Sequence, residues 1–392
     1  MLAALLGLQG FAIPAAHAGG EGSPPVQWTD SIGSPRPLAA SGKTREEELA
    51  SVCPDRDMAL RTVAAQLAAH AVAADDVEAV TYALRAAGDP HVWPKAFLLE
   101  GKSIDFVEAK KRLQAWLGTF RQPVRLRCGI VAERQGDREV VAAVAVDAQA
   151  DLAQVPVRAR PSSWVEVDAK VLAPASGAKV IVLGPTGATR TLLTSFSEGR
   201  VKARANVDRE GTWLFQVLLD GANGPRPVLE AYVFAGVEPP VEKPHAPAPG
   251  EEAGGGGDPA TALARMMMLA RRSESLPGLV RDPALDRVAR SHAERMMRVR
   301  RLGHDVGDGD PRERLDRAGI TLAQVGENVA HAANVTLAHR ALWSSPSHRD
   351  NLLQPRFDRV GIGVTADPDG TIWVAELFAT SSADRPAASR AR

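Results

Sequence analysis

Three polar residues in the last third of the chain have side chains suited to metal binding or acid–base chemistry. They are His304, Glu327 in the segment 326–330, and His348 in the segment 343–353. A neutral imidazole is a common metal ligand, and a nearby carboxylate can orient it or act as a base. If the fold brings the three together, they can form a binding or catalytic site, but their spacing alone does not show that it does.

Composition limits the classes of protein to which these residues can belong. The chain has 392 residues, 45% of them hydrophobic, and its 47 Lys and Arg residues equal its 47 Asp and Glu residues. A net charge of zero argues against a nucleic-acid-binding protein or a polybasic membrane-surface protein. The length predicts two or three domains. Two cysteines are too few for a disulfide scaffold or a cysteine-rich zinc module.

The N-terminus predicts an exported protein. Residues 2–16 are apolar and uncharged, and Ala16-His17-Ala18 fits a signal-peptidase site, so 1–18 are predicted to be a signal peptide. The stretch is too short to span a bilayer comfortably. We therefore expect a periplasmic or extracellular protein that is not an integral membrane protein. Export would allow a disulfide between Cys53 and Cys128, and the alternative is two separate buried thiols.

Two segments have the composition of linkers. Residues 19–44 are rich in Gly, Ser and Pro and are predicted to be a disordered leader. Residues 237–258 are rich in Pro and then in Gly, which is typical of an interdomain linker.

Between these segments the hydrophobic period changes from helical to extended. Residues 46–85 have apolar positions at helical spacing, and from Val124 the period becomes two, with a turn at Gly136-Asp137. Residues 45–150 are thus predicted to form an α+β domain. The short β-rich runs of 158–236 predict an antiparallel, Ig-like β-sandwich.

The segment 259–382 is predicted to be a second α+β domain. Its expected helices and strands follow the apolar spacing and the turn residues. The expected helices are 259–272, 283–300, 310–318 and 334–344, and the expected strands are 357–366 and 371–379.

An internal similarity favours duplication of this domain over coincidence. Residues 57–64 match residues 282–289 at five of eight positions. In both blocks a tryptophan, Trp116 or Trp343, then precedes a predicted hairpin.

Four motifs of the last block together resemble the CAP superfamily of cysteine-rich secretory, antigen 5 and pathogenesis-related proteins, in its disulfide-poor bacterial branch. The motifs are LGHD (302–305), GENVA (326–330), WSSPSHRDNLL (343–353) and VGIGV (360–364). The resemblance covers about 260–380, so it implies a CAP domain at 259–382, with the family's α-β-α sandwich. It also implies that 45–150 is a degenerate CAP-like copy.

The resemblance assigns roles to the motif residues. The family cleft carries two histidines and two acids, and His304, Glu327 and His348 match three of them. The second acid has no counterpart, because 344–346 is Ser-Ser-Pro. Glu376 on the last predicted strand is a candidate substitute, although strand alternation can equally point it away. Three further motif residues, assigned to the binding cleft or to its support, are Asn328, Arg349 and Asn351.

Two functions follow as hypotheses, and whether the protein is an enzyme stays open. Some family members bind a divalent metal through the two histidines, and others bind sterols or lipids. The first hypothesis is a cleft that binds an extracellular ligand, namely a lipid, a peptide or a cell-wall component, with zinc on His304 and His348 as a tentative cofactor. The alternative is a cell-envelope hydrolase, a peptidase or a peptidoglycan-directed enzyme, with Glu327 as general base. Since zinc usually has three or four protein ligands, we rank binding above hydrolysis. A purely structural role is the third hypothesis.

Overall fold

The computed structural model describes residues 26–39, 44–120, 123–222, 224–242 and 246–381. The predicted signal peptide, 1–18, lies outside these residues. Within them, three units follow one another along the chain. No helix of the described residues is long and apolar enough to cross a membrane.

The first unit is a four-stranded sheet with helices on both faces. The elements from its N-terminal extension to its last strand are β1 (Ser31–Ile32), α1 (Arg45–Ala50), β2 (Asp55–Arg56), α2 (Met58–Ala68), α3 (Val77–Ala86), β3 (Lys95–Gly101), α4 (Phe106–Leu117), β4 (Leu126–Gln135) and β5 (Arg138–Asp147). The sheet order is β2-β4-β5-β3. α2 and α3 pack on one face of this sheet, and α1 and α4 pack on the other. α1 to α3 lie in the segment predicted to be helical, and the hairpin has its predicted turn at 136–137, whereas α4, β2 and β3 have no counterpart among the predictions.

A disulfide joins the N-terminal end of this unit to its central hairpin. Cys53 and Cys128 are bonded, with their Cα atoms 5.9 Å apart. Of the two alternatives that the sequence left open, the structure has the bridge.

The second unit consists of two sheets packed face to face. Its strands are β6 (Ala150–Leu152), β7 (Val155–Pro156), β8 (Arg158–Ala159), β9 (Ser163–Val171), β10 (Gly177–Leu183), β11 (Arg190–Thr191), β12 (Ser195–Ser197), β13 (Arg200–Val207), β14 (Gly211–Gly221) and β15 (Gly224–Ala235). One sheet has the order β11-β10-β14-β15-β8 and the other has the order β12-β13-β9-β6. Alternate residues of the long strands point inward and form one apolar core around Trp213 and Phe215.

Two details of this unit differ from the expectation. It begins at Ala150 rather than at 158, because β6 pairs with β9. The pairing within the two sheets is antiparallel except between β8 and β15, which are parallel.

Residues 26–39 are ordered, contrary to the predicted disordered leader. β1 pairs antiparallel with β7, and Ile32 is fully buried in the core of the second unit. The indole of Trp28 and the hydroxyl of Tyr82 both donate to the carbonyl oxygen of Pro240, at 2.9 and 3.1 Å. Burial of apolar surface and these hydrogen bonds outweigh the compositional bias toward disorder.

The third unit is again a four-stranded sheet between two layers of helices. Its elements are α5 (Pro259–Ser273), β16 (Val280–Arg281), α6 (Pro283–Val299), α7 (Pro311–Arg317), β17 (Gln324–Ala332), α8 (Val335–Ser344), α9 (Pro346–Leu352), β18 (Arg359–Ala366) and β19 (Ile372–Thr380). The sheet order is β16-β18-β19-β17. α6 and α7 pack on one face, and α5, α8 and α9 pack on the other. The predicted helices and strands are all present, whereas β16, β17 and α9 have no counterpart among the predictions.

The predicted linker 237–258 also packs against the third unit in the parts that the structure describes. Glu251, in a short 3₁₀ turn, forms an ion pair with Arg340 at 2.6 Å. The carbonyl oxygen of Pro249 lies 2.9 Å from Nε2 of the buried His339. These contacts tie the segment to α8.

Candidate functional site

His304 and Glu327 form a hydrogen-bonded pair at the centre of the third unit. The loop between α6 and α7 positions His304, and β17 positions Glu327. Nδ1 of His304 lies 2.9 Å from Oε1 of Glu327, whose side chain is almost completely buried. Because the carboxylate can only accept, Nδ1 of His304 carries the hydrogen of this bond, and its Nε2 is left free.

Arg314 binds the other oxygen of the same carboxylate. Its Nη2 pairs with Oε2 of Glu327, and its Nη1 donates to the carbonyl oxygen of His304 at 2.6 Å. Burial by itself favours the neutral acid, but the hydrogen bond from His304 and the positive charge of Arg314 hold the pKa of Glu327 below its ordinary value. Glu327 is therefore an ionised carboxylate with both oxygens occupied.

His292 of α6 completes this network, although its position in a helical run suggested an ordinary helix-face residue. Its side chain is fully buried, with Nδ1 2.8 Å from Oδ2 of Asp308 and Nε2 3.0 Å from the carbonyl oxygen of Gly303. Nε2 also lies 3.8 Å from Oε1 of Glu327. Sequence reasoning missed His292, Asp308 and Arg314; the only available signal was the density of charged residues around 305–317.

His348 lies in the first turn of α9 and is also close to His304. Burial and the charge of His304 lower the pKa of His348 to about 4, so its imidazole is neutral at physiological pH. Its ring makes no hydrogen bond to any residue within the described ranges. A neutral imidazole offers one donor and one acceptor, and both are available here.

A chain of hydrogen bonds from the other units reaches the residue beside His348. Gln216 of β14 accepts from the backbone N–H of Ser347 at 3.0 Å and donates to Glu230 of β15 at 2.8 Å. Arg85 of α3 then pairs with Glu230 at 3.3 Å. Because Arg85 and Gln216 are almost fully buried, this chain fixes the start of α9 against both preceding units.

Asn328 and Asn351 connect β17, which carries Glu327, to α9, which carries His348. Nδ2 of Asn328 donates to the carbonyl oxygen of His348 and to Oε2 of Glu376, both at 3.1 Å. Nδ2 of Asn351 donates to the backbone oxygen of Glu327 at 3.1 Å and to Oδ1 of Asn328 at 2.9 Å. These amides hold β17 and α9 together.

Glu376 lies on the opposite face of the sheet from Glu327. Asn328 pairs with Glu376 across β17 and β19, whereas Glu327 pairs with Leu377, and directly paired residues share a face. Strand alternation thus points Glu376 away from His304, and its position does not support a second acid in the cleft. Burial raises the pKa of Glu376 to about 8.

Arg349 packs against its own helix pair rather than beside the histidines. Its guanidinium lies 4.0 Å from the ring centroid of Trp343, and its Nε donates to the carbonyl oxygen of that residue. Burial lowers the pKa of Arg349 to about 10. The arrangement gives Arg349 a packing role, and Trp343 is partly buried against the core.

This geometry agrees with a comparison of the chain against protein-family models. Residues 265–377 match the model described as the cysteine-rich secretory protein family, CAP. Residues 265–377 are a CAP domain. The uncharacterised protein YkwD of Bacillus subtilis is 28% identical to this chain over 110 residues, which are 28% of this chain and 42% of that relative. The chain therefore spans less than half the length of this curated relative.

Solved structures similar to the chain include other bacterial proteins. An outer surface protein of Borrelia burgdorferi is 21% identical, with a TM-score of 0.30, over 31% of this chain and 91% of that one. An extracellular protein of Bacillus anthracis that contains an SCP domain is 17% identical, with a TM-score of 0.29, over 68% of this chain and 92% of that one. Likenesses at this level carry no argument about function.

The two CAP histidines face a cavity of about 640 Å³ that all three units line. From the CAP domain, the lining includes Leu302, His304, Val329 and His348. Glu327, Asn328, Arg349, Asn351 and Glu376 do not line the cavity and lie behind this wall. The candidate residues thus divide into two that face the cavity and others that hold those two in place.

The residues present do not fit a protein-bound metal ion with three or more ligands. Within the described ranges, no group of three or more His, Cys, Asp and Glu side chains is arranged to hold one. Nδ1 of His304 is already bound by Glu327, so the two histidines can provide two ligands through their remaining nitrogens.

Proposed function

We propose that this chain is an exported protein whose CAP domain binds an extracellular or cell-envelope ligand at His304 and His348. The observation that carries the proposal is the cavity of about 640 Å³ in front of these two imidazoles. Its volume lies in the range of small-molecule sites. Within the described residues, the ring nitrogens of His304 and His348 that Glu327 does not bind have no partner. They are therefore free to contact a ligand.

Two features support export. The apolar segment 2–16 followed by Ala-His-Ala has the composition of a signal peptide. The disulfide Cys53–Cys128 is typical of an oxidising compartment, the periplasm or the cell exterior.

The environment of Glu327 favours binding over hydrolysis. A general base must reach the proton that it removes and must have a pKa near the working pH. Glu327 is buried behind His304, both of its oxygens are bound, and its pKa is held low. Zinc on His304 and His348 stays a prediction, and two imidazoles alone would bind it weakly.

We also infer that the first unit is a diverged copy of the CAP domain that serves as scaffold. In both units, a short edge strand pairs in parallel with the first strand of a hairpin. The second strand of the hairpin then pairs antiparallel with the fourth strand of the sheet. The backbone N–H of Asp57 donates to the oxygen of Cys128 at 3.1 Å, and that of Asp282 donates to the oxygen of Val360 at 2.9 Å. Each of these aspartates caps the helix that follows it.

This correspondence places apolar residues of the first unit at the CAP site positions. When the two sheets are aligned so that Cys128 corresponds to Val360, their strand registers make Ala96 correspond to Glu327. Counting ten residues from each aspartate places Leu67 at the position of His292. The first unit therefore lacks the polar network, which is consistent with a supporting role.

The test of the binding proposal compares the full chain with the double variant His304→Ala/His348→Ala. The probes are insoluble peptidoglycan, phosphatidylglycerol vesicles and a pool of casein peptides, with bound protein measured by co-sedimentation or thermal shift. We expect the wild type to bind at least one probe and the double variant to bind it at least tenfold more weakly.

The matched control is His331→Ala, since His331 is a half-exposed imidazole of the same domain outside the cavity. Equal binding by the double variant and this control would contradict the proposal. Turnover of peptidoglycan or peptides that Glu327→Gln abolishes would instead establish the hydrolase alternative.

A further inference from the structure

The cavity in front of the CAP histidines owes most of its walls to the other two units. The CAP domain supplies 301–305, Val329 and His348. The β14–β15 hairpin, the loop 173–174, two loops of the first unit, and Asp147 and Gln149 at the end of β5 supply the rest. A ligand that contacts the histidines therefore also contacts residues of the first and second units.

The β14–β15 hairpin lies directly against the first CAP histidine. A Cβ atom placed on Gly224 would be 3.7 Å from Cβ of His304, which is van der Waals contact. Gly224 has a φ of 93°, a left-handed conformation that glycine adopts without strain. The hairpin thus forms a fixed wall beside the His304 ring.

Arg226, just after this tip, brings a positive charge to the cavity, where the carboxylate of Asp147 interacts with it electrostatically. Its guanidinium makes no hydrogen bond or ion pair with any residue in the described ranges. The two carboxylates of the lining are already bound by their own loops: Asp147 accepts from the N–H of Val124 at 2.8 Å, and Asp305 accepts from the N–H of Gly307 at 2.7 Å. The lining also includes Lys95 and Arg301, so it has three cationic side chains against these two carboxylates and a net positive charge.

Trp93, in the first unit, exposes its ring at the opposite side of the cavity. It is 47% exposed and has a φ of 60°, a conformation that costs a bulky residue energy. Its indole N–H makes no hydrogen bond to a described residue. A large aromatic side chain held exposed in a strained conformation within a cavity is suited to packing on a ligand.

The two histidines add hydrogen-bonding groups suited to hydroxyls. Nε2 of His304 and both ring nitrogens of His348 make no hydrogen bond to a described residue, so they are available to a ligand. A hydroxyl both donates and accepts, so it can satisfy either ring.

We propose that this three-unit cavity binds an acidic oligosaccharide of two or three sugars. Arg226 pairs with a carboxylate of the sugar, Trp93 packs on the apolar face of a pyranose ring, and His304 and His348 hydrogen-bond to hydroxyls. A volume of about 640 Å³ accommodates a ligand of this size. The inference rests on the proposed function, since it names a ligand class for the same histidines.

The polar wall argues against a simple fatty acid as the occupant. Thr119, Gln149 and Arg226 lie among the apolar lining residues. Thr119 already accepts from Lys95, and Gln149 donates to Asp147, but an acyl chain would leave the Arg226 guanidinium without a hydrogen-bond partner, at an energetic cost. A sugar presents hydroxyls to these polar groups and C–H faces to the rings.

The test measures binding of the full chain by calorimetry to three acidic trisaccharides built from galacturonate, glucuronate and muramate, each paired with its methyl ester. The ester keeps the sugar and removes the charge. We expect the wild type to prefer at least one acid over its ester by about tenfold, the scale of one charged hydrogen bond.

Variants assign the contacts. Arg226→Gln should remove the preference for the acid, and Trp93→Ala should weaken acid and ester alike by about tenfold. The controls are Arg134→Gln and Trp164→Ala, which change an exposed arginine and an exposed tryptophan outside the cavity. They should bind as the wild type does.

Two outcomes overturn the inference: no acidic trisaccharide binds better than its ester, or Arg226→Gln and Trp93→Ala behave as their controls do. If the His304→Ala/His348→Ala variant still binds one of the earlier probes more weakly than the wild type does, the proposed function stands and only the oligosaccharide proposal is wrong. If that variant binds every probe as tightly as the wild type does, both the proposed function and the oligosaccharide proposal are wrong.

Discussion

At the scale of single residues, Glu327 organises the polar centre of the CAP domain. Its carboxylate joins His304 from the loop, Arg314 from α7 and the nearby His292 from α6. A buried charge is tolerated only when it is paired and hydrogen-bonded, and this one is. The pair with His304 fixes which imidazole nitrogen is free.

Glu327→Gln should therefore destabilise the protein by about 3 kcal/mol, because it leaves the buried guanidinium of Arg314 without its counter-charge. Urea unfolding at pH 7 measures the change. Glu294→Gln, at an exposed position of α6, is the control and should change stability by less than about 0.5 kcal/mol. Equal effects of the two variants would mean that the pair contributes nothing.

Glu376 should make stability depend on pH in the opposite sense to an ordinary paired carboxylate. Burial raises its pKa from 4.5 to about 8, so the folded state holds a proton that the unfolded state loses between these values. Its contribution is thus fully present below pH 4.5 and is lost as pH rises to 8. The free energy of unfolding of Glu376→Gln, relative to that of the wild type, should therefore rise by up to about 4 kcal/mol between pH 5 and pH 8. Urea unfolding measures it. A constant difference across that range would refute the pKa assignment.

At the scale of elements, glycines in the central hairpin allow α6 to pack directly on β18. A Cβ atom on Gly363 would lie 2.2 Å from the backbone nitrogen of Arg290, and one on Gly361 would lie 2.2 Å from the carbonyl carbon of Leu285. Real atoms do not approach so closely, so the helix would have to move away from the sheet. That helix carries His292.

Gly363→Ala should consequently cost about 3 kcal/mol of stability, the upper end of the range for overpacking. Thermal and urea unfolding measure it. Gly255→Ala is the matched control, since a Cβ there meets nothing within 4 Å and its backbone is not left-handed. A Gly363→Ala protein as stable as this control would show that α6 can shift freely.

At the scale of the whole molecule, the three units are joined by buried polar contacts rather than by flexible linkers alone. The chain from Arg85 through Glu230 and Gln216 ends on the N–H of Ser347, beside His348. Thr189 also donates to Asp350 of α9 at 2.7 Å. These contacts give the cavity fixed walls.

Gln216→Leu should loosen this arrangement while leaving each core intact, because it removes both hydrogen bonds of a buried amide, at a cost of about 1–3 kcal/mol. Hydrogen exchange should become faster at the amide of Ser347. Gln114→Leu, at an exposed position of α4, should leave that exchange rate unchanged. An unchanged rate in Gln216→Leu would show that the units are held together in another way.

Local patterns in the sequence predicted much of the fold. Helical spacing placed α5 to α8 to within a residue or two at most ends, and the turn at 136–137 placed the hairpin of the first unit. β17 was missed because it lies between two layers of helices, so its residues do not alternate between apolar and polar. α9 was missed because its sequence, PSHRDNL, has no apolar residues at helical spacing.

The sequence alone determined the residue types of the CAP motifs, their order, and the identity of the two histidines that face the cavity. Only the tertiary structure decided that Glu376 lies on the far face of the sheet, that His292 and Arg314 complete the network around Glu327, and that the other two units line the cavity. The physical reason is that spacing along a chain records which residues share one helix or strand. Strand register and the docking of units decide which side chains from different elements meet, and those depend on contacts between residues far apart in sequence.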